Sequence, residues 1–325
     1  MKISRRKASD RTWVLLSATA VLAAASLPVA AQERTLQLGY IMAEGDPADE
    51  GARRFEELVE ERTGGELDIV IHPNGLLGGE RDLWEGMQIG SVDIAITGVG
   101  PISFFTPQYS GVQMYYAVQD VAHLEKVFNG EIGDEIADAL LQGQGGRVLD
   151  WWHRGPRHVT ANKPIRTPED LQGLKLRTPE GKLYIQAWQA LGASPTPMAL
   201  GELFTALEQG VVDGQENPLA LIATQSFDEV QSHVSLTAHQ VQPYVFAISE
   251  STWQGLSDEQ RQIVEEAAKE AGSREARHHG GHKPPAPNNH WFCSAPRIAS
   301  SLGRWPDHRH RTAMRADPSL RQGHA

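Results

Sequence analysis

Two arginines and an asparagine carry the clearest chemistry in this sequence. Arg157 lies in Gly155-Pro156-Arg157-His158-Val159-Thr160, and Arg177 in Lys175-Leu176-Arg177-Thr178-Pro179. A guanidinium is planar, permanently charged and able to grip a carboxylate through two parallel hydrogen bonds. At a strand end in a cleft it would orient an organic acid as well as hold it. The same residues would also suit an ion pair between lobes or a solvated face, since surface ion pairs are common and weak. Asn217, in Asp213-Gly214-Gln215-Glu216-Asn217-Pro218, can donate and accept hydrogen bonds, and Gly214 and Pro218 would fix a loop around it. That segment also reads as a turn whose polar groups serve only its own backbone. Trp151 and Trp152 precede the Arg157 segment. Neighbours on a strand face opposite ways, so at most one of them points at a ligand, and Trp152 is the candidate. Core packing of both is the alternative.

Catalytic patterns are missing. The chain has no G-x-S-x-G elbow, Walker loop, H-E-x-x-H or C-x-x-C,. Gly98-Val99-Gly100 and Gly143-Gln144-Gly145-Gly146 are glycine-rich without making G-x-G-x-x-G. His72, His123, His153, His158, His233 and His239 are scattered, with no metal-ligand spacing between them,. No catalytic residue, metal or cofactor is expected.

The elements that must position these side chains alternate between strand and helix. Leu36–Ile41 reads as a strand, and Asp46-Pro47 as an N-cap followed by proline at the first helical position,. Phe55, Leu58 and Val59 continue that helix to Gly64-Gly65, and strands follow at Leu67–Ile71 and Asp93–Thr97, with a helix through Leu83 and Met87 between them. The rhythm returns at the Lys175–Thr178 strand, a helix from Lys182 to Gly192, and a helix with Leu200, Leu203, Phe204 and Leu207 at i, i+3, i+4, i+7,. Ser257-Asp258-Glu259-Gln260 is a capping box opening a last helix,. The pattern predicts an α/β protein of two lobes with open, mostly parallel sheets and a ligand cleft where strand ends converge. Lobe I is expected at residues 32–154 plus 243–277, and lobe II at 155–242.

Both ends differ from this body. Residues 1–31 carry a basic start (Lys2, Arg5, Arg6, Lys7), an apolar run from Trp13 to Leu27, and small residues at Val29 and Ala31, which reads as a secretory signal peptide. Seven of the 13 histidines and six of the 19 prolines fall in residues 278–325, where helical periodicity stops. A frameshifted terminus, a natural disordered tail and a metal tract built on His278, His279, His282, His290 and Cys293 are the three readings of that segment. With one cysteine, Cys293, no intramolecular disulfide can form,. Five basic residues oppose one acidic residue in 1–31, and seven oppose two in 278–325. A total charge of −11 therefore leaves −20 on the body. So acidic a body argues against nucleic acid as a partner, and an anion must be held by a few placed arginines against an unfavourable field.

Several stretches, in this order, resemble the solute-binding proteins of tripartite ATP-independent periplasmic (TRAP) transporters, the DctP-like family. They are Leu77-Gly78-Gly79-Glu80-Arg81, Gly155-Pro156-Arg157, the run from Pro164 to Arg177, Gly192–Met198, Glu202, Ala206-Leu207, and Asp213–Pro218. The similarity spans about residues 35–275. It implies that Arg177 salt-bridges a ligand carboxylate, that Asn217 hydrogen-bonds it and that Arg157 is a second cationic contact. It also implies hinged closure of the lobes, with Arg177 facing Asn217 across the gap. Leu200 stands where many members place an aromatic residue, and Gly98 where sialic-acid binders of the family have a glutamate. The resemblance implies a monomeric periplasmic receptor, not an enzyme, that hands a small organic acid to the small and large membrane subunits of a TRAP permease. A sensory receptor and, further off, a periplasmic enzyme acting on an organic acid are the alternatives.

Overall fold

The computed structural model describes residues 33–279, with side chains through residue 272. The expected signal peptide and nearly all of the unusual C-terminal segment lie outside the described residues. Eight strands make up the sheet: β1 (Arg34–Tyr40), β2 (Leu67–His72), β3 (Ile94–Thr97), β4 (Gly146–Ala161), β5 (Lys175–Thr178), β6 (Ser194–Pro197), β7 (Gly214–Pro218) and β8 (His233–Ser249). Their order across the sheet is β2-β1-β3-β8-β4-β7-β5-β6.

Local signals explain the elements. Asp46 accepts from the Ala48 N–H at 3.0 Å and caps the helix Pro47–Thr63, which ends at Gly64 with φ 62°. That left-handed conformation favours glycine. Ser257 and Gln260 make the reciprocal capping bonds at 3.2 and 3.0 Å, opening the helix Asp258–His279. This helix packs along Pro47–Thr63 and β4, with Glu270 paired to Arg54 at 3.2 Å and also to Arg62. It continues two residues past Arg277, where the sequence pattern placed its end.

The sheet differs from the expected pair of mostly parallel sheets. β1–β2, β1–β3, β5–β6 and β5–β7 are parallel, but β3–β8, β4–β8 and β4–β7 are antiparallel, and all eight strands form one sheet. The reason is the length of β4 and β8. At 16 and 17 residues they run side by side from Gly146↔Ser249 to Ala161↔His233 and join the β2-β1-β3 half to the β7-β5-β6 half. Gly214–Pro218, read from sequence as a loop beyond a strand, is itself a strand between β4 and β5. Gly214 lies so close to the β4 backbone that a Cβ there would come within 3.0 Å of the Thr160 carbonyl. The glycine is a requirement of strand pairing rather than of a turn.

Candidate ligand-binding cleft

A cleft of about 360 Å³ opens where the two halves of the sheet meet, within the range of small-molecule sites,. The turn after β2 contributes Asn74 to Asp82, the end of β3 contributes Gly98 to Gly100, and the loop after β6 contributes Met198 to Gly201. Arg154 and Arg157 enter from β4, Arg177 from β5 and Asn217 from β7. Three of the four sequence candidates thus line one cavity.

Arg177 is buried, and its Nε and Nη2 donate to the Met198 carbonyl at 3.1 and 2.8 Å. Those bonds orient the guanidinium and leave donors over for another acceptor. Among the described residues no carboxylate lies within ion-pair distance of it. Burial pushes Arg177 down to about 10, with Arg157 and Arg154 adding like charge and Glu216 offsetting part of it. The residue keeps its proton at neutral pH in surroundings that disfavour the charge, an arrangement an incoming anion relieves.

Asn217, also buried, donates to Gln215 Oε1 at 2.7 Å. The two residues do not face each other across the gap. β5 and β7 are parallel neighbours, with Leu176 opposite Gly214, so Arg177 and Asn217 belong to the same half of the sheet. The groups facing them come from the other half, Glu80, Arg81 and Gly98 among them.

Arg157 has a different setting. Its Nε and Nη2 grip the Glu216 carboxylate at 2.5 and 2.8 Å, and Nη2 also reaches the Glu216 carbonyl at 2.6 Å. His239 Nε2 lies 3.0 Å from the same carboxylate. Arg157 is 1 % exposed and Glu216 is fully buried. Burial alone would penalise both charges. The opposite charge prevails, holding Arg157 above its ordinary value and Glu216 down at about 2, with His239 assisting. Arg157 is neither solvated nor paired between lobes: its ion pair joins neighbouring strands β4 and β7 inside the expected lobe II, and its side chain still borders the cleft.

Trp152 lies elsewhere. It is fully buried, its indole N–H donates to the Ala268 carbonyl at 3.1 Å, and its ring meets Phe246 with centroids 4.4 Å apart. A Cβ on Gly51 or Gly272 would strike the ring, so the indole is wedged between Pro47–Thr63 and Asp258–His279. The pleat sends it to the helix-covered face of β4, and the ligand role does not apply to it. Trp151 packs on Phe128 at 5.0 Å. Leu200, which carried no assigned role, lines the cleft.

The residue missed in the sequence is Arg154. It is 6 % exposed, its Nε has no hydrogen-bond partner and its guanidinium lies 4.7 Å over the Tyr244 ring. Three positions from Arg157, it belongs on the opposite face of a regular strand. The β4–β8 register slips between His153 and Pro156, and Gly155 takes φ 76°. This bulge turns both arginines toward the cleft. Gly155-Pro156 was the available signal, because glycine and proline inside a strand mark bulges.

Residues 38–280 match the model of the bacterial extracellular solute-binding protein family 7, DctP. The chain belongs to this family. A solute-binding protein of Roseobacter denitrificans is 42% identical over 255 residues, 78% of each chain. The crystal structure of a TRAP periplasmic solute-binding protein from that bacterium, with bound L-galactonate, superposes with a TM-score of 0.73 at 40% identity, covering 77% of this chain and 82% of the other. Another, from a Polaromonas species and bound to D-erythronate, gives a TM-score of 0.73 at 36% identity, with 77% and 82% covered. The fold is the two-lobe periplasmic binding-protein fold, and the family's members bind solutes for transport rather than catalyse reactions.

Proposed function

We propose that this chain is a periplasmic receptor that captures a small organic acid by its carboxylate for uptake through a TRAP permease, and that Arg177 is the carboxylate anchor. The observation that carries this reading is a buried guanidinium, held in place by the Met198 carbonyl, that lines the cleft without a carboxylate partner. Burying an unpaired charge is costly, so such a cation is best explained by a ligand that completes it. Asn217 lines the same half and supplies a hydrogen bond to the acid, while Arg157 borders the cleft as a second positive charge already tied to Glu216.

In this reading residues 32–154 with 243–277 form one lobe and 155–242 the other, and they close about β4 and β8. Closure brings Glu80 and Gly98 toward Arg177, so the shut form gains contacts that the open form lacks. Residues 1–31 direct secretion, and the receptor acts as a monomer that docks on the small and large membrane subunits of the permease. The acids bound by the relatives from Roseobacter denitrificans and Polaromonas support a carboxylate ligand.

A thermal-shift panel of L-galactonate, D-erythronate, succinate and butyrate tests the proposal. An acid present at 100 times its dissociation constant adds about 2.7 kcal/mol to stability. The expected result is a clear upward shift with at least one acid, absent when the corresponding neutral amide is used. Equal response to acid and amide would overturn a receptor built around a carboxylate.

A further inference from the structure

Arg154 and Glu80 flank Gly98. A Cβ on that glycine would lie within 3.0 Å of both Arg154 Nη1 and Glu80 Oε1. The Glu80 carboxylate is fixed from behind, accepting from the Gly98 N–H at 2.6 Å. Glu80 also opens the helix Glu80–Ile89, whose N-terminal end favours a carboxylate,. Arg154 is braced over the Tyr244 ring, and the Tyr244 hydroxyl donates to the buried Asp46 at 3.0 Å. Its Nε has no hydrogen-bond partner, and all three residues at this corner line the cleft.

We propose that Arg154 is a specificity-determining residue, and that with Glu80 it forms a second subsite that reads hydroxyl groups on the carbon chain of the ligand. This rests on the proposed function, in which Arg177 holds the carboxylate. The chemistry of the pair selects the group. A hydroxyl can donate to Glu80 and accept from Arg154 at once. A second carboxylate placed on Arg154 would meet the negative charge of the half-buried Glu80 beside the same glycine, and like charges there repel,. An aliphatic chain would displace water from Arg154 and from the remaining acceptor capacity of Glu80 without offering either a hydrogen bond, at a cost in binding. The subsite therefore favours a hydroxylated monocarboxylate, of the sugar-acid class, over a dicarboxylate or an unsubstituted acid. The bare Cα of Gly98 is part of the device, because any side chain there would displace the guanidinium.

The test is a titration-calorimetry comparison of three four-carbon acids: D-erythronate, butyrate and succinate. The proteins are wild type, Arg154→Met, Gly98→Ala and Arg177→Met, each shown by thermal melting to be folded. Wild type is expected to bind D-erythronate most tightly. Arg154→Met should narrow its preference for D-erythronate over butyrate by about tenfold or more, the worth of a charge-assisted hydrogen bond. Gly98→Ala should narrow it in the same direction without removing a charge. Arg177→Met should weaken every acid. An unchanged preference in both Arg154→Met and Gly98→Ala, or a wild type that prefers succinate, overturns the subsite and leaves the proposed function standing. Equal weakening of erythronate and butyrate by Arg154→Met would make the residue a second carboxylate grip and likewise overturn the subsite. A wild type that binds none of the three acids, nor L-galactonate, overturns the proposed function and the subsite with it.

Discussion

Arg157 and Arg177 carry the same charge, line the same cleft and are both buried, yet their surroundings are opposite. Arg157 is bound through two prongs to Glu216, with His239 completing the carboxylate's shell. Arg177 hydrogen-bonds a backbone carbonyl and has no carboxylate within ion-pair distance among the described residues; burial holds it near 10, with Glu216 offsetting only part of that, whereas Arg157 lies above its ordinary value. A buried cation with its own counter-ion is part of the framework, because its electrostatic need is already met. In the proposed function, a buried cation without one is completed by the ligand's carboxylate. Sequence motifs do not separate these cases, since both arginines follow a residue pattern suited to strands. The partner on the neighbouring strand separates them.

The largest effect that can break this contrast is on the framework side. Arg157→Met leaves Glu216 buried without its partner and should cost about 3–5 kcal/mol of unfolding free energy. In urea titrations, the double variant Arg157→Met with Glu216→Gln should recover much of that loss. A loss of similar size follows from Trp152→Ala, about 3–5 kcal/mol for an indole removed from a closed core. Acid affinity should be unchanged in the refolded protein, and a lost affinity would return Trp152 to the ligand side of the comparison. Arg177→Met should do the reverse of Arg157→Met, leaving the urea midpoint equal or higher because an unpaired buried charge has been removed. A midpoint lowered as far as that of Arg157→Met would show that the two arginines do the same job.

A further effect is on pH dependence and concerns the groups around the paired arginine. Burial, with nearby His239 adding to it, pushes His158 down to about 3, and Glu216 is held at about 2. The unfolded chain takes up protons at these sites before the folded one does, so stability rises with pH across the window. Stability from His158 should be complete above about 6.5 and lost as pH falls toward 3. Stability from Glu216 should be complete above about 4.5 and lost toward 2. His158→Gln should flatten the melting temperature between pH 6.5 and 4.5. An unaltered slope would remove His158 from the account.

Much of the scaffold could be read directly from residues. Asp46-Pro47, Ser257 to Gln260 and the strand-like Leu36–Ile41 are local signals, and an element formed at each, the strand running Arg34–Tyr40. The two long strands were harder. β8 contains a nearly unbroken buried run from His239 to Ser249, polar residues included, which offers no period-two alternation to follow. Gly214–Pro218 looked like a turn because strands that line a polar cleft carry turn-like residues. Arg177 and Asn217 were singled out by side-chain chemistry and given ligand roles by resemblance, and both line the cleft. Which residue partners Arg157 depends on the antiparallel β4–β7 pairing of Val159 with Glu216, a non-local fact that no sequence window holds. Arg154 escaped because a bulge overrode strand periodicity, and Trp152 was misplaced because the face it takes is set by the helix Asp258–His279, about a hundred residues away in the chain.

The most direct test of the account is titration calorimetry of L-galactonate and D-erythronate against wild type and Arg177→Met. Wild type should bind at least one of these acids. Arg177→Met should lose at least about 2 kcal/mol of that binding, roughly thirtyfold, with its melting temperature preserved. An Arg177→Met protein that binds the acid as tightly as wild type would contradict the claim that the unpaired guanidinium is the anchor.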